Sequence, residues 1–489
     1  MYVFTYKKVS KCCISYLVPI VQAMLSLGLD GAVRNVHTYL FINFFQINGL
    51  TNESITYGEM TQSAINFAVS LSRMGVGKGD VIALFAENRQ EYFSALIGVT
   101  STGATVTTIN TGYVKDELIY AINISKPKYI ICSPFTYKTH EKTLKTIRFL
   151  KAVILFGNEK ASNVISYNDL AVNVNNVVFE QFEPVDVNGQ TDTLFIIYSS
   201  GTTGMPKGVM LTHLNVIACC CFPFSHDPSE KTLAISPWYH TMGLVGFLIG
   251  LSSGRTGVYI PKFEIDLYMR TIEKYKIGQL TVVPPVLVVL CKTSGQYDLS
   301  SVKMIYSGAA PLHKETLQDV VDTETRAPLG PNQQGEICVR GPTLMKGYVG
   351  IGRGDDFDDE GFYKTGDVGY YDKEGFFYIS DRLKELIKYK GYQVPPAELE
   401  AVLLTHEAVA DAGVIGIPHK TGGEVPLAFV VARTSVTEEE LKKFVADRLS
   451  NPKHLRGGVR FVKQIPKSPS GKILRKDLRI LAKDGKSKL

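Results

Sequence analysis

The chain has 489 residues, 20% of them charged and 45% apolar. That is an ordinary globular composition, and it excludes disordered, collagen-like and polytopic membrane proteins. Lysine and arginine total 53 against 47 for aspartate and glutamate, and a net charge of +6 without an RNA-binding or zinc-finger signature does not point to nucleic acid.

Eight cysteines with no C-x-x-C and no zinc-spaced histidine pair fit a reduced compartment, and Cys219, Cys220 and Cys221 read as core packing. At the N-terminus, Lys7, Lys8 and Lys11 precede an uncharged stretch from Cys12 to Leu29, at the lower edge of membrane-spanning length. Pro19, Gln22 and two serines weaken it. It reads first as an amphipathic or buried segment and second as a signal anchor, so residues 1–46 form an atypical N-terminal segment.

From Ile47 the chain alternates helical patterns such as "SAINFAVSLSRMGV" with β-branched runs such as "VIALFA", "KYIICSP", "AVILFG", "LFIIYSS", "TGVYI" and "LTVVPP". Runs this apolar, punctuated by Gly or Pro, predict strands buried on both faces. The fold class is therefore α/β, with a large N-terminal domain of helix-covered, largely parallel sheets over residues 47–380. After Gly361 the texture changes. "GFYKTGDVGYYDKEGFFYIS" predicts short alternating strands, "DRLKELIKYKGYQV" a charged segment, and "PPAELEAVLLTH" a helix opened by Pro395 and Pro396. The rest predicts a small C-terminal α+β domain over residues 385–489, with the boundary near Asp381.

The segment "YSSGTTGMPKGVMLTH", Tyr198 to His213, carries the most chemistry. A strand delivers Ser199, Ser200, Gly201, Thr202, Thr203 and Gly204, and "KGVML" returns as a strand with Thr212 capping the next helix. Glycines let backbone N–H groups turn toward an anion, hydroxyls add donors, and Lys207 supplies a point charge, so a polyphosphate is the natural guest. The rival phosphate motif G-x-x-x-x-G-K-[ST] is absent, because Ile473 follows Gly471-Lys472 and Gly79 follows Gly77-Lys78. A P-loop kinase or ATPase is disfavoured accordingly. The chain closes on Ser487-Lys488-Leu489, a tripeptide that reads as a peroxisomal import address for the import receptor.

With "SSGTTGMPKG", "SGAAPL", "GEICVRGPTLMKGY", "KTGDVGYYDKEGFFYISDRLKELIKYKGYQVPPAELE" and "PKSPSGKILRKDL" in place, nearly everything after residue 47 resembles the adenylate-forming, AMP-binding superfamily. That superfamily contains acyl-CoA synthetases, 4-coumarate:CoA ligases and insect luciferases, and the closing S-K-L fits its peroxisomal insect branch. The resemblance implies two steps: a carboxylate attacks the α-phosphate of ATP to give an acyl-adenylate and pyrophosphate, and a thiol then displaces AMP. It makes residues Ser199 to Gly204 and Lys207 the phosphate loop, Asp367 the carboxylate that accepts both ribose hydroxyls, and Arg382 its helper. Lys472 becomes the mobile lysine bridging substrate carboxylate and α-phosphate. Asp381 to Lys384 would be the hinge of a mobile C-terminal domain, whose rotation brings Lys388 and Gly391 to the thiol step. His240, Gly308 and Ala309 would line the acyl pocket.

The family's Tyr-Gly-x-Thr-Glu nucleotide segment has no counterpart between Leu312 and Gly335. The chain reads as shortened near residues 318–321, which removes an adenine wall and a magnesium ligand and also deletes strands from the large domain. This fits an alternative transcript or a faulty gene model. The leading expectation is an ATP-dependent ligase joining coenzyme A to a fatty or aryl-propenoic acid in peroxisomes, using ATP, Mg2+ and CoA. A luciferase-like monooxygenase and a non-catalytic peroxisomal protein with this fold are the alternatives.

Overall fold

A β-branched strand buried on both faces needs helices above and below it, and this is how the chain is built. The computed structural model describes residues 44–158, 164–177, 182–199, 206–220, 230–252, 254–282, 286, 296–307, 317–322, 326–390, 392–419, 423–467 and 473–483. The N-terminal stretch through residue 43, the phosphate-loop residues Ser200 to Gly204, Gly308, Ala309, Gly391, Lys472 and the C-terminal tripeptide lie outside the described residues. Among those described, no helix is long and apolar enough to cross a membrane. Contacts divide the chain into two compact units, residues 1–313 with 342–354, and residues 314–341 with 355–489.

The first unit holds an eight-stranded and a six-stranded sheet. In the larger sheet, strands Thr193–Tyr198, Thr105–Thr108, Val81–Phe85, Tyr129–Cys132, Ala152–Leu155 and Val164–Ser166 run parallel. Gly208–Thr212 and Gly347–Tyr348 extend it antiparallel. The helix Tyr57–Arg73 starts on a capping box: the Thr56 hydroxyl accepts from the Glu59 N–H at 3.2 Å, and the Glu59 carboxylate accepts from the Thr56 N–H at 2.8 Å. All ten residues of the helix Tyr92–Ser101 are buried, as a helix without a polar face requires. Phe93, Trp238, Phe247 and Tyr259 knit the core between the sheets, with Phe93 stacked on Phe247 at 4.5 Å and edge-on to Trp238 at 4.8 Å.

The six-stranded sheet orders Met304–Ser307, Gln279–Val282, Thr232–Ala234, Gly257–Tyr259, Phe44–Asn48 and Ser54–Thr56, parallel except for the last pair. At its edge, Met304 and Ile305 remain 46% and 45% exposed, unusual for apolar side chains on a parallel sheet, where helices ordinarily cover both faces.

The second unit joins an antiparallel sheet of Leu317–Val321, Gly335–Arg340, Tyr363–Tyr371 and Phe377–Arg382 to a five-stranded sheet built on the long hairpin Val409–His419 and Gly423–Ala432. Helices Pro396–Leu404 and Glu438–Ala446 cover the hairpin through Leu399, Leu403, Leu441 and Val445. The four-stranded sheet that precedes the expected hinge thus groups with the C-terminal unit, and Asp381 sits on its last strand, paired with Val368. One local expectation changes. The charged segment before the helix contains a hairpin, Ile387–Tyr389 with Tyr392–Val394. Its buried residues Ile387, Tyr389 and Val394 alternate with exposed Lys388 over too few positions to declare a period-two pattern in the sequence.

Candidate active site

Glycines and hydroxyls alone do not make an anion site; something must hold the loop's feet. Thr193–Tyr198 and Gly208–Thr212 pair antiparallel through Ile197 with Val209 and Tyr198 with Gly208. One step further, the Ser199 N–H donates to the Lys207 carbonyl at 2.9 Å, and the Lys207 N–H donates to Ser199 Oγ at 3.0 Å. The stem therefore closes on the two outer residues of the predicted loop. Below it, the Thr212 hydroxyl accepts from the Asn215 N–H at 3.2 Å while Asn215 Oδ1 accepts from the Thr212 N–H at 2.8 Å, so Thr212 caps the helix His213–Cys220 as expected.

The Lys207 ammonium lies over the ring of buried Tyr348, 4.4 Å from its centre. Tyr348 reaches this place because its short strand pairs with the stem, Tyr348 opposite Val209. Tyr348 ends the motif "GEICVRGPTLMKGY", but nothing in a linear reading reveals a contact spanning so much chain.

The turn before helix Thr241–Ser252 carries His240. Asn88 fixes that turn, donating to the Ser236 carbonyl at 3.2 Å and accepting from the Trp238 N–H at 2.9 Å, while the Thr108 hydroxyl donates to the Tyr239 carbonyl at 2.9 Å. Asn88 and Thr108 lie just after and at the end of two central parallel strands, beside the stem that follows a third. Crevices outside the carboxyl ends of parallel strands are where open α/β sheets bind ligands. Sequence reasoning missed Asn88 and Thr108 because each works through a partner more than a hundred residues away. The His240 ring packs against Tyr239 at 4.6 Å. Although its surface is exposed, crowding on its packed side lowers its pKa from the ordinary 6.5, so the ring is neutral at pH 7.

In the second unit, strand register puts Asp367 opposite Arg382, and Arg382 Nε lies 2.6 Å from Asp367 Oδ1. The turn before Asp367 is held from three sides. The Thr365 hydroxyl donates to the Ile337 carbonyl at 2.6 Å and accepts from the Asp367 N–H at 3.0 Å; the Gly366 N–H donates to Glu336 Oε1 at 3.0 Å. Gly366 takes a φ of +68°, which an L side chain would strain. Glu336 is 4% exposed and its other oxygen pairs with Arg326, so a buried carboxylate that the motif did not single out orients the turn. Asp367 itself is half-buried, with its carboxylate held at the end of this turn.

Lys388 stands exposed on its hairpin, its N–H donating to the Glu424 carboxylate at 3.1 Å. Lys384 is exposed in the turn after strand Phe377–Arg382. Among the described residues, no group of three or more His, Cys, Asp or Glu side chains is placed to hold a metal ion.

His213, the first residue of the helix below the stem, is 2% exposed. Burial pushes its pKa down to about 4, with Asp192 pulling it up and Lys78 pushing it further down. Its neutral form therefore contributes stability above the unfolded value near 6.5, and that contribution disappears as pH falls toward 4, roughly 3 kcal/mol in all. Urea midpoints measured from pH 7 to pH 4 are expected to fall over this window, and His213→Gln is expected to flatten the slope; an unchanged slope in the variant assigns the acid sensitivity elsewhere.

A family profile described as AMP-binding enzyme matches residues 37–320, and one described as AMP-binding enzyme C-terminal domain matches residues 398–472. The chain is 34% identical to luciferin 4-monooxygenase of Nipponoluciola cruciata, covering 90% of this chain and 92% of that protein. It is 35% identical to 4-coumarate–CoA ligase 3 of Arabidopsis thaliana, with 91% of each covered. The latter alignment runs over 517 residues although this chain has 489, so the relative carries residues without a counterpart here. Among solved structures, a red-emitting luciferase from Phrixothrix hirtus superposes with a TM-score of 0.76 at 33% identity, covering 98% of this chain and 97% of that one. ATP-bound MatB from Rhodopseudomonas palustris shares the fold, with a TM-score of 0.81 at 24% identity over 96% of this chain and 99% of that one.

Proposed function

The chain belongs to the AMP-binding, adenylate-forming enzymes, and from that membership we propose that it is an ATP-dependent carboxylic acid:CoA ligase acting on a fatty or aryl-propenoic acid. What carries this reading is the Asp367 turn: a carboxylate, the group that would accept a vicinal diol when the nucleotide binds, with its backbone oriented by buried Glu336 and with Arg382 at its flank. The 4-coumarate:CoA ligase relatives support the ligase chemistry. Ser199, Lys207 and the loop between them would hold the polyphosphate, Lys472 would stabilise charge on the α-phosphate, and Lys388 with Gly391 would serve the thioester step. His240, Gly308 and Ala309 would line the acyl pocket, where neutral His240 adds no charge beside an apolar chain. Mg2+ would arrive with the nucleotide, neutralising charge on its phosphates. Peroxisomal residence belongs to the same proposal and rests on Ser487-Lys488-Leu489 alone.

The overlong alignment supports a shortened chain, and half-exposed Met304 and Ile305 on the edge strand Met304–Ser307, which precedes positions 318–321, fit a join in that region. Carboxylate-dependent ATP–pyrophosphate exchange on the purified chain, with fatty acids, cinnamic acids and luciferin, tests the proposal. Exchange with one of the first two groups, followed by thioester on adding CoA, is the expected result. Light from luciferin without thioester formation would replace the ligase by the monooxygenase favoured by the luciferase relatives. No exchange from a folded chain would make it non-catalytic.

A further inference from the structure

Arg475 occupies the junction of three elements of the second unit. Its Nη2 donates to both oxygens of Glu400, at 2.8 and 2.9 Å, and its Nε donates to the Val414 carbonyl at 3.3 Å. Glu400 is 8% exposed and also accepts from the Val414 N–H at 2.8 Å, so this part of the cluster is a buried, fully directed network tying helix Pro396–Leu404 to the long hairpin. The third partner differs in kind. Glu385 Oε2 lies 3.2 Å from Arg475 Nε and 3.9 Å from Arg479 Nη2, as an ion pair in which that oxygen makes no directed hydrogen bond.

The two ends of this cluster are the functional segments. Glu385 closes the turn that leaves the expected hinge, its N–H donating to the Arg382 carbonyl at 2.9 Å, while the Leu383 N–H donates to Gly366 beside Asp367 at 2.7 Å. Arg475 opens helix Arg475–Lys483 three positions after Lys472. The residues between them form the foot of the lysine-bearing loop: Ile473 bridges to Lys467, and the Leu474 N–H donates to the Pro466 carbonyl at 2.9 Å. Lys467 is anchored in turn by Asp411 at 2.6 Å. Gly413 makes room for this foot, because a Cβ there would lie 2.9 Å from Leu478 Cδ1 and 3.3 Å from Ile465 Cγ2.

The geometry points to Arg475 as a positioning residue that clamps the exit of the hinge turn to the foot of the Lys472 loop, so that both move with the hairpin as one body. A rotation begun at the hinge would then reach Lys472 without slack. The kinetic arm of this inference rests on the adenylation role proposed for Lys472; the structural arm does not.

Amide hydrogen exchange on the full-length chain tests the structural arm. Glu385→Gln leaves the buried Arg475–Glu400 pair intact, and it is expected to speed exchange severalfold both at Leu383 and Leu386 and at Leu474, with Arg475→Lys, which disturbs the Glu400 and Glu385 contacts together, giving a larger joint effect. Faster exchange in the hinge turn alone, or in neither segment, overturns the coupling. In the kinetic arm, Arg475→Lys is expected to lower ATP–pyrophosphate exchange about tenfold, with less than a twofold change in thioester formation from supplied acyl-adenylate. Equal loss of both half-reactions would reduce Arg475 to a structural residue. Lys472→Ala serves as the control: should it leave pyrophosphate exchange intact, the assigned chemistry fails, while the hydrogen-exchange result still decides the clamp.

Discussion

Lys472→Ala is expected to lower carboxylate-dependent ATP–pyrophosphate exchange by at least ~100-fold, the usual cost of removing one group aimed at charge that develops in a transition state. The α-phosphate gains a fifth ligand while pyrophosphate departs, and there is little covalent chemistry for the protein to perform. Positioned cations and backbone donors supply the stabilisation instead. Thioester formation from supplied acyl-adenylate is expected to change less than about threefold, because an interaction made only in the first transition state affects only that step. Lys388→Ala is expected to show the opposite bias. It sits on the hairpin Ile387–Tyr389 with Tyr392–Val394, exposed and away from the buried side of that sheet. Equal loss of both half-reactions in Lys472→Ala would remove the bridging role.

Asp367→Ala is expected to cost roughly 100-fold or more in kcat/KM for ATP, since two hydrogen bonds to a charged acceptor contribute about 1.5–3 kcal/mol each. Stability is expected to change little. Arg382 is 56% exposed, and a pair open to solvent contributes at most about 1 kcal/mol to folding. The thermal midpoint therefore separates a binding role from a structural one. Asp367→Asn keeps the shape and one acceptor and is expected to fall between wild type and Asp367→Ala. A large drop in the midpoint, with ATP saturation unchanged, would assign Asp367 to the fold alone.

Much of the local structure was legible. "LFIIYSS" and "KGVML" are apolar runs of strand length flanking a glycine-rich break, and they pair as Thr193–Tyr198 and Gly208–Thr212. "PPAELEAVLLTH" begins with the proline pair that a first helical turn tolerates, and its helix spans Pro396–Leu404. Candidate chemistry is easiest to read where consecutive residues carry it: Ser199 to Lys207 stand out because hydroxyls, glycines and a charge lie together, whereas Asp367 was singled out by the family resemblance of its surrounding motif. Glu336 gave no such signal. A single glutamate on a strand reads as surface charge, and only the crossing of two strands makes it the support of Gly366.

What the sequence by itself determined is therefore the repertoire: the α/β class, the segments that become strands and helices, and the residue types available for chemistry. These follow from short-range physics, in which periodicity decides burial and glycine or proline decides where the chain turns. The tertiary structure alone decided which supports stand behind them: Tyr348 beneath Lys207, Asn88 and Thr108 behind the His240 turn, and Arg475 between Glu385 and Glu400. It also decided that the sheet Leu317–Val321, Gly335–Arg340, Tyr363–Tyr371 and Phe377–Arg382 groups with the C-terminal unit. Each of these depends on a pairing between segments distant in the chain. Such pairings are selected by the packing of whole sheets, whose gain is collective, so no window of sequence contains enough of the partners to reveal them.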